Sequence, residues 1–150
     1  MRILLPVDGS QAAEHAAKAL IRYLPDWRSN PEIDLMFVNL PIKALPTFRG
    51  STEEKEIIEK YYKTEADQAK AGVKNLLKAA RVEFTESSAV GEPAEELCKA
   101  AKERKCDMIW MGTRGLSTLG NLLLGSIATK VVHRSTVPVV LVRPEDAARN

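Results

Sequence analysis

Residues 112–126 contain the densest group of glycines in the chain, and they end in a serine. A short apolar run at 108–111, typical of a buried strand, precedes this stretch, and residues 127–133 follow it with the pattern of a helix. The unpaired amides at a helix start attract anions, and glycine lets a backbone approach a ligand closely. Ser126 offers a hydroxyl to the same anion, or a cap to the helix. The pattern predicts a phosphate cradle.

This connection belongs to a regular alternation of strands and helices. The remaining strand-like runs and helix-like stretches are 2–7, 11–24, 33–40, 53–80, 83–90, 93–105 and 137–142. Such alternation predicts a parallel sheet covered by helices on both faces. Ligands of these sheets bind at the carboxyl ends of the strands, so the glycine-bearing turns after the first and fourth strands form the candidate site.

The glycine spacing is specific. Two residues separate Gly112 from Gly115, nine separate Gly115 from Gly125, and Ser126 follows at once. This spacing resembles the G-x2-G-x9-G-S/T nucleotide-binding signature of the universal stress protein family. Residues 3–10, 91–94 and 137–142 are similar to that family's first strand and turn, the lead into its third helix and its last strand.

The resemblance covers nearly the whole chain and implies its architecture. It implies a single domain, residues 1–150, of the α/β class. An open, twisted, parallel five-stranded sheet in the order 3-2-1-4-5 would carry helices on both faces, as in Rossmann-like, adenine nucleotide alpha hydrolase-like proteins. That order makes the first and fourth strands neighbours, which the alternation alone does not establish.

The resemblance also implies a ligand and its contacts. The ligand would be ATP, with any Mg²⁺ or Mn²⁺ held mainly by the phosphates. Asp8 would accept hydrogen bonds from the ribose, although an aspartate in this place also suits a helix cap. The backbone of Val38 would meet the adenine edge, although its side chain also suits the core. Pro6 and Val7 would form an apolar wall, and Met111 would contact the ligand at the end of the fourth strand. The phosphate contacts would be Gly112, Gly115, Gly125, Ser126 and Ile127.

Motifs for rapid catalysis are absent from the sequence. It contains no G-x4-G-K-S/T with a P-loop lysine, no G-x-G-x-x-G and no G-x-S-x-G nucleophile elbow. Neither His15 nor His133 has a metal-ligand companion at close spacing. We therefore expect an ATP-binding module of stress response or signalling, without catalytic or metal-ligating residues and with at most slow hydrolysis. The alternative is a nucleotide-independent protein-interaction module of the same fold.

Composition narrows the choice of partners and compartment. A net charge of +2, with acids and bases interleaved, argues against nucleic acid as a partner. No apolar run approaches the ~20 residues that span a bilayer, and Asp8 comes too early for a signal peptide, so we expect a cytoplasmic protein without a membrane partner. Cys98 and Cys106 suggest small buried hydrophobes.

The last predicted strand suggests a second copy of the chain as a partner. Residues 137–142 are apolar without alternation, and Pro138 lacks the N–H that a central strand needs, so this strand should lie at an edge. A bare apolar edge favours pairing with another chain. The resemblance likewise implies pairing across a two-fold axis, and we expect a homodimer through this C-terminal strand.

Overall fold

The chain folds around one parallel sheet of five strands. The computed structural model describes residues 1–42, 50–113 and 124–143. Its strands are β1 (Arg2–Val7), β2 (Glu32–Asn39), β3 (Phe84–Val90), β4 (Met108–Gly112) and β5 (Val139–Val142). All neighbouring pairs are parallel, and the order across the sheet is β3-β2-β1-β4-β5. The predicted fold class and strand order are confirmed.

Four α-helices alternate with the strands in the described ranges: α1 (Gln11–Tyr23), α2 (Thr52–Ala79), α3 (Pro93–Glu103) and α4 (Ser126–Arg134). The first three begin at a side-chain cap, provided by Ser10, by Ser51 and by Glu92. At α2, Ser51 and Glu54 form a reciprocal capping box. These caps satisfy amides that would otherwise lack a partner, whereas no side chain of the described residues caps α4.

Two of the predicted boundaries differ from those in the structure. α1 ends at Tyr23, and residues Leu24–Asp26 form a 3₁₀ turn, because Pro25 has no N–H to continue the α-helical bonding. The last strand is predicted from residue 137 but begins at Val139. Its predicted first residue, Val137, instead donates its N–H to the Ser135 hydroxyl in a turn (3.1 Å).

Both faces of the sheet are covered by helices. On one face, Ile3 and Leu5 belong to a core cluster with the buried residues of α1 and α2. On the other face, Leu4 belongs to a cluster with the buried residues of α3 and α4. The predicted helices on both faces are therefore present. No helix in the described ranges has the length and apolar character needed to cross a membrane.

Two ion pairs join α3 to α4. The Glu92 carboxylate contacts the Lys130 ammonium (Oε1–Nζ 2.9 Å), and Glu95 pairs with Arg134. The other oxygen of Glu92 accepts the amide N–H of Glu95 (3.1 Å), so one carboxylate both caps α3 and holds α4. The hydrogen bond from Lys130 lowers the pKa of Glu92 from its ordinary value, and the amide of Glu95 adds to this effect.

This double role predicts a pH-dependent contribution of Glu92 to stability. We expect Glu92→Gln to lower the free energy of unfolding at pH 7 by about 0.5–1 kcal/mol, a small effect because solvent screens the pair. Since the folded-state pKa of Glu92 is lowered, its carboxylate stabilises the fold above its unfolded-state pKa, and this stabilisation is lost as the pH falls through the folded-state pKa. Urea denaturation from pH 7 to pH 3 measures the difference.

Glu103→Gln is the matched control for this experiment. Glu103 is an exposed glutamate of the same helix, and it makes no ion pair with the described residues. We expect the difference from wild type to depend on pH more strongly in Glu92→Gln than in this variant. An equal pH dependence of the two variants would show that the ion pair contributes nothing.

Candidate functional site

A cavity of about 600 Å³ opens at the carboxyl ends of β1, β2 and β4. This volume lies within the range of small-molecule sites in proteins. Its lining includes the predicted site residues Pro6, Val7, Asp8, Val38, Met111, Gly112, Gly125, Ser126 and Ile127. The tenth predicted residue, Gly115, lies outside the described residues.

The sheet topology brings these residues together. β1 pairs with β2 on one side and with β4 on the other, so its two neighbours come from opposite halves of the chain. The strand order therefore reverses between β1 and β4. Such a switch point leaves a crevice at the carboxyl ends of the strands, because the two crossovers run to opposite faces of the sheet.

The turn after β1 depends on Gly9 and Asp8. Gly9 has φ +79°, a conformation that glycine adopts without strain. Asp8 Oδ1 accepts the amide N–H of Ser10 (3.0 Å), and the Ser10 hydroxyl in turn caps α1 by accepting the N–H of Ala13 (3.3 Å). Asp8 is therefore not the cap of α1. Its second oxygen makes no hydrogen bond with the described residues, and Asp8 lines the cavity.

Gly112 is required by the packing of α1 against β4. A Cβ atom at this position would lie 2.6 Å from the carbonyl oxygen of Ala12 and 2.8 Å from its carbonyl carbon. These backbone atoms belong to the start of α1 and have little room to shift. The glycine thus has a structural reason that is independent of any ligand.

Three amides at the start of α4 have no hydrogen-bond partner among the described residues and belong to residues at the cavity. The N–H of Gly125 is already used, because it donates to the carbonyl of Thr113 (2.6 Å). The first bond within the helix runs from the N–H of Thr129 to the carbonyl of Gly125 (2.9 Å). The intervening amides make no hydrogen bond with the described residues, and they belong to three residues that line the cavity: Ser126, Ile127 and Ala128. The positive end of α4 thus faces the cavity.

Several lining residues are not among the predicted ones. Asn39 is the last residue of β2 and Thr113 directly follows β4, and both have buried polar side chains. Polar residues at the ends of apolar strands are a signal that could be read from the sequence. Tyr61, Glu65 and Gln68 of α2 also line the cavity. Their helical spacing looks the same as that of a solvent-facing stripe, so the sequence holds no signal for them.

The cysteines and histidines do not build a further reactive centre in the described ranges. Cys98 and Cys106 pack in or against the core cluster of α3 and α4, and burial raises the pKa of both thiols. A thiol with a raised pKa is a poor nucleophile at neutral pH. His15 lies on α1 and His133 on α4. Nowhere in residues 1–42, 50–113 and 124–143 do three or more His, Cys, Asp or Glu side chains form a group that could hold a metal ion.

Several solved structures share this architecture. Protein MJ0577 of Methanocaldococcus jannaschii aligns with a TM-score of 0.76 and 27% identity, over 95% of this chain and 94% of that one. A universal stress protein in complex with cAMP aligns with a TM-score of 0.62 and 24% identity, over 95% and 96% of the two chains. A family protein from Arabidopsis thaliana with AMP bound aligns with a TM-score of 0.65 and 16% identity, over 100% and 99%. The last two show the shared fold alone.

The sequence comparisons agree with the structural ones. The universal stress protein MJ0531 of Methanocaldococcus jannaschii is 31% identical over 142 residues, which cover 95% of this chain and 81% of that protein. The model of the universal stress protein family matches residues 1–143. With a family match of this extent and a shared sheet order and helix arrangement, the chain belongs to the universal stress protein family.

Proposed function

We propose that the chain binds an adenine nucleotide, with ATP as the expected ligand, in the cavity between β1, β2 and β4. The start of α4, which has no side-chain cap from the described residues, carries this proposal. Its amides that lack a partner in this part of the chain belong to residues that line the cavity, whereas α1, α2 and α3 each have a side chain as cap. A bound phosphate would satisfy the amides of α4 as those caps satisfy the others.

The free energies of the expected contacts are large enough to account for micromolar binding. Hydrogen bonds to a charged group contribute about 1.5–3 kcal/mol each. Three such bonds and a buried base can together provide the roughly −8 kcal/mol of micromolar affinity, once the free-energy cost of association is subtracted. An affinity in the micromolar range therefore needs no further charged group.

The order of the elements suggests how the ligand lies. The phosphates would occupy the start of α4, with Gly112 and Gly115 near them, and the second oxygen of Asp8 would accept the ribose hydroxyls. The base would lie at Val38, between the backbone of β2 and the apolar wall of Pro6, Val7 and Met111. The two structurally similar proteins described above, one with AMP bound and one in complex with cAMP, support an adenine nucleotide as the ligand class.

The role that follows is that of a nucleotide-binding module rather than of a fast enzyme. The sequence lacks a P-loop lysine motif, so we expect at most slow hydrolysis, with Mg²⁺ or Mn²⁺ held mainly by the phosphates. We place this single module, residues 1–150, in cytoplasmic stress response or signalling. The role in stress follows from membership of the family.

Removing one amide of α4 tests the proposal. Ser126→Pro deletes the N–H at the first position of the helix, where proline is tolerated. The preceding Gly125 has φ −71° and ψ 158°, the conformation that a residue before proline prefers, so the fold should persist. We expect this variant to bind ATP about tenfold more weakly, the loss of one charged hydrogen bond, in isothermal titration calorimetry.

Ser126→Ala is the control, since it removes the hydroxyl and keeps the amide. It separates the side chain from the backbone, and circular dichroism checks that both variants fold. ATP binding that is equal in wild type and Ser126→Pro would exclude the start of α4 as the phosphate site. A wild-type protein that binds no adenine nucleotide would refute the proposal and favour the protein-interaction module.

We also propose a homodimer through β5. This strand is an edge of the sheet, so no strand of the described residues pairs with its outer backbone groups. Its apolar residues Val139, Val140 and Leu141 remain only half-buried. Pairing with β5 of a second copy would cover both the backbone and the side chains.

A charge on β5 tests the dimer. Wild type should have the mass of a dimer in light scattering at micromolar concentration, and Leu141→Lys should shift it to the monomer because a charge at the interface would be desolvated. The control is Val90→Lys, which places the same charge on β3 at the opposite edge. A wild-type monomer, or a dimer that Leu141→Lys leaves intact, would exclude this interface.

A further inference from the structure

The first half of α2 contributes no buried residue to the core. α2 has 28 residues, and all of its buried residues lie in its second half, namely Ala66, Lys70, Val73 and Leu77. Every residue of Thr52–Glu65 is exposed or half-buried. At 1.5 Å per residue the helix is about 42 Å long, whereas a strand of the length of β2 spans about 26 Å. The helix therefore extends well beyond what covering the sheet requires.

This extension forms one wall of the cavity. Tyr61, Glu65 and Gln68 line the cavity, and their spacing of four and three residues places them on one face of α2. Tyr61 is 49% exposed. A tyrosine that lines a cavity with half of its surface open offers a flat apolar face to an aromatic ring of a ligand.

Tyr61 is linked to the segment after β2 through its neighbour Tyr62. It packs against the ring of Tyr62, with centroids 5.9 Å apart and planes at 59°. The Tyr62 hydroxyl accepts the amide N–H of Ile42 (2.9 Å), just after β2. The last two residues of β2, Val38 and Asn39, line the same cavity, as does Leu40 after them. The aromatic wall thus belongs to the β2 side of the site, where the proposed function puts the base.

Glu65 adds a carboxylate to this wall. It makes no hydrogen bond or ion pair with the described residues, so both oxygens remain available to a ligand. One helical turn further on, Ala69 Cα lies 3.4 Å from the position of a Cβ on Gly9, so the wall continues to the turn after β1. An ionised carboxylate only accepts hydrogen bonds. It therefore favours a ligand edge that carries donors and disfavours one that carries a carbonyl oxygen.

We infer that Tyr61 stacks on the base of the bound nucleotide and that Glu65 selects a base with an amino group at the 6-position over one with an oxygen there. The inference rests on the proposed function and assigns the specificity of its site to α2. The amino group of adenine donates to the carboxylate. The 6-oxygen of hypoxanthine would instead face a negative charge. Inosine triphosphate has the same net charge as ATP and otherwise differs from it only by the hydrogen on N1.

The stacking is tested by Tyr61→Ala and Tyr61→Phe, titrated with ATP in a calorimeter. Loss of the ring should weaken binding about tenfold or more, the usual effect of removing one base–aromatic stack, whereas phenylalanine keeps the ring and should bind within about twofold of wild type. Ile57→Ala is the matched control, since Ile57 is 68% exposed on the same half of α2 and is not part of the cavity lining. It should bind as wild type.

The base selection is tested by Glu65→Gln, titrated with ATP and with inosine triphosphate. Wild type should prefer ATP by about tenfold or more, and Glu65→Gln should lower this preference at least threefold, because the amide also donates to the 6-oxygen. An unchanged preference, or equal binding of the two nucleotides by wild type, overturns the role of Glu65. Unchanged ATP binding by Tyr61→Ala overturns the stacking. Both results leave the proposed function intact, whereas a wild type that binds no nucleotide refutes that function itself.

Discussion

One backbone hydrogen bond, from the N–H of Gly125 to the carbonyl of Thr113 (2.6 Å), sets the start of α4 beside the end of β4. The N–H of Thr113 donates to the carbonyl of Val142 (3.0 Å), so the same residue is also tied to β5. Because Gly125 uses its amide in this bond, the amide of Ser126 is the first at this end of α4 that has no partner in the part of the chain that the structure describes. The field of a helix end acts only within about one turn. The anion-attracting character of the cavity therefore depends on this placement.

The close approach of α1 to the sheet is the second constraint on the site. Small residues on its buried face, among them Ala13, Ala16 and Ala17, let the helix lie near β4. The indole N–H of Trp110 donates to the carbonyl of Ala16 (2.9 Å), which holds helix and strand together. At the cavity end of β4 the helix backbone comes so near that only glycine fits at position 112. The same glycine that a nucleotide signature requires is thus required by packing.

The alternation of apolar runs, together with the family resemblance, predicted the parallel sheet, its order and nine of the residues that line the cavity. The remaining features of the site depend on packing contacts and turn geometry that the sequence pattern does not show. The packing role of Gly112 depends on Ala12, and the choice of Ser10 over Asp8 as the cap depends on the turn that Gly9 makes. The wall on α2 was missed because polar residues at helical spacing are typical of a solvated face, and only the position of the helix relative to β2 distinguishes the two.

Groups of both signs line the cavity. The amides at the start of α4 that have no partner among the described residues carry partial positive charge, whereas Asp8 and Glu65 contribute carboxylates. A polyphosphate is attracted to the amides and repelled by the carboxylates, and hydroxyl and amino donors have the opposite preference. Under the proposed function, a nucleotide therefore matches both sets of groups when its phosphates lie at α4 and its ribose hydroxyls and base amino group lie at the carboxylates.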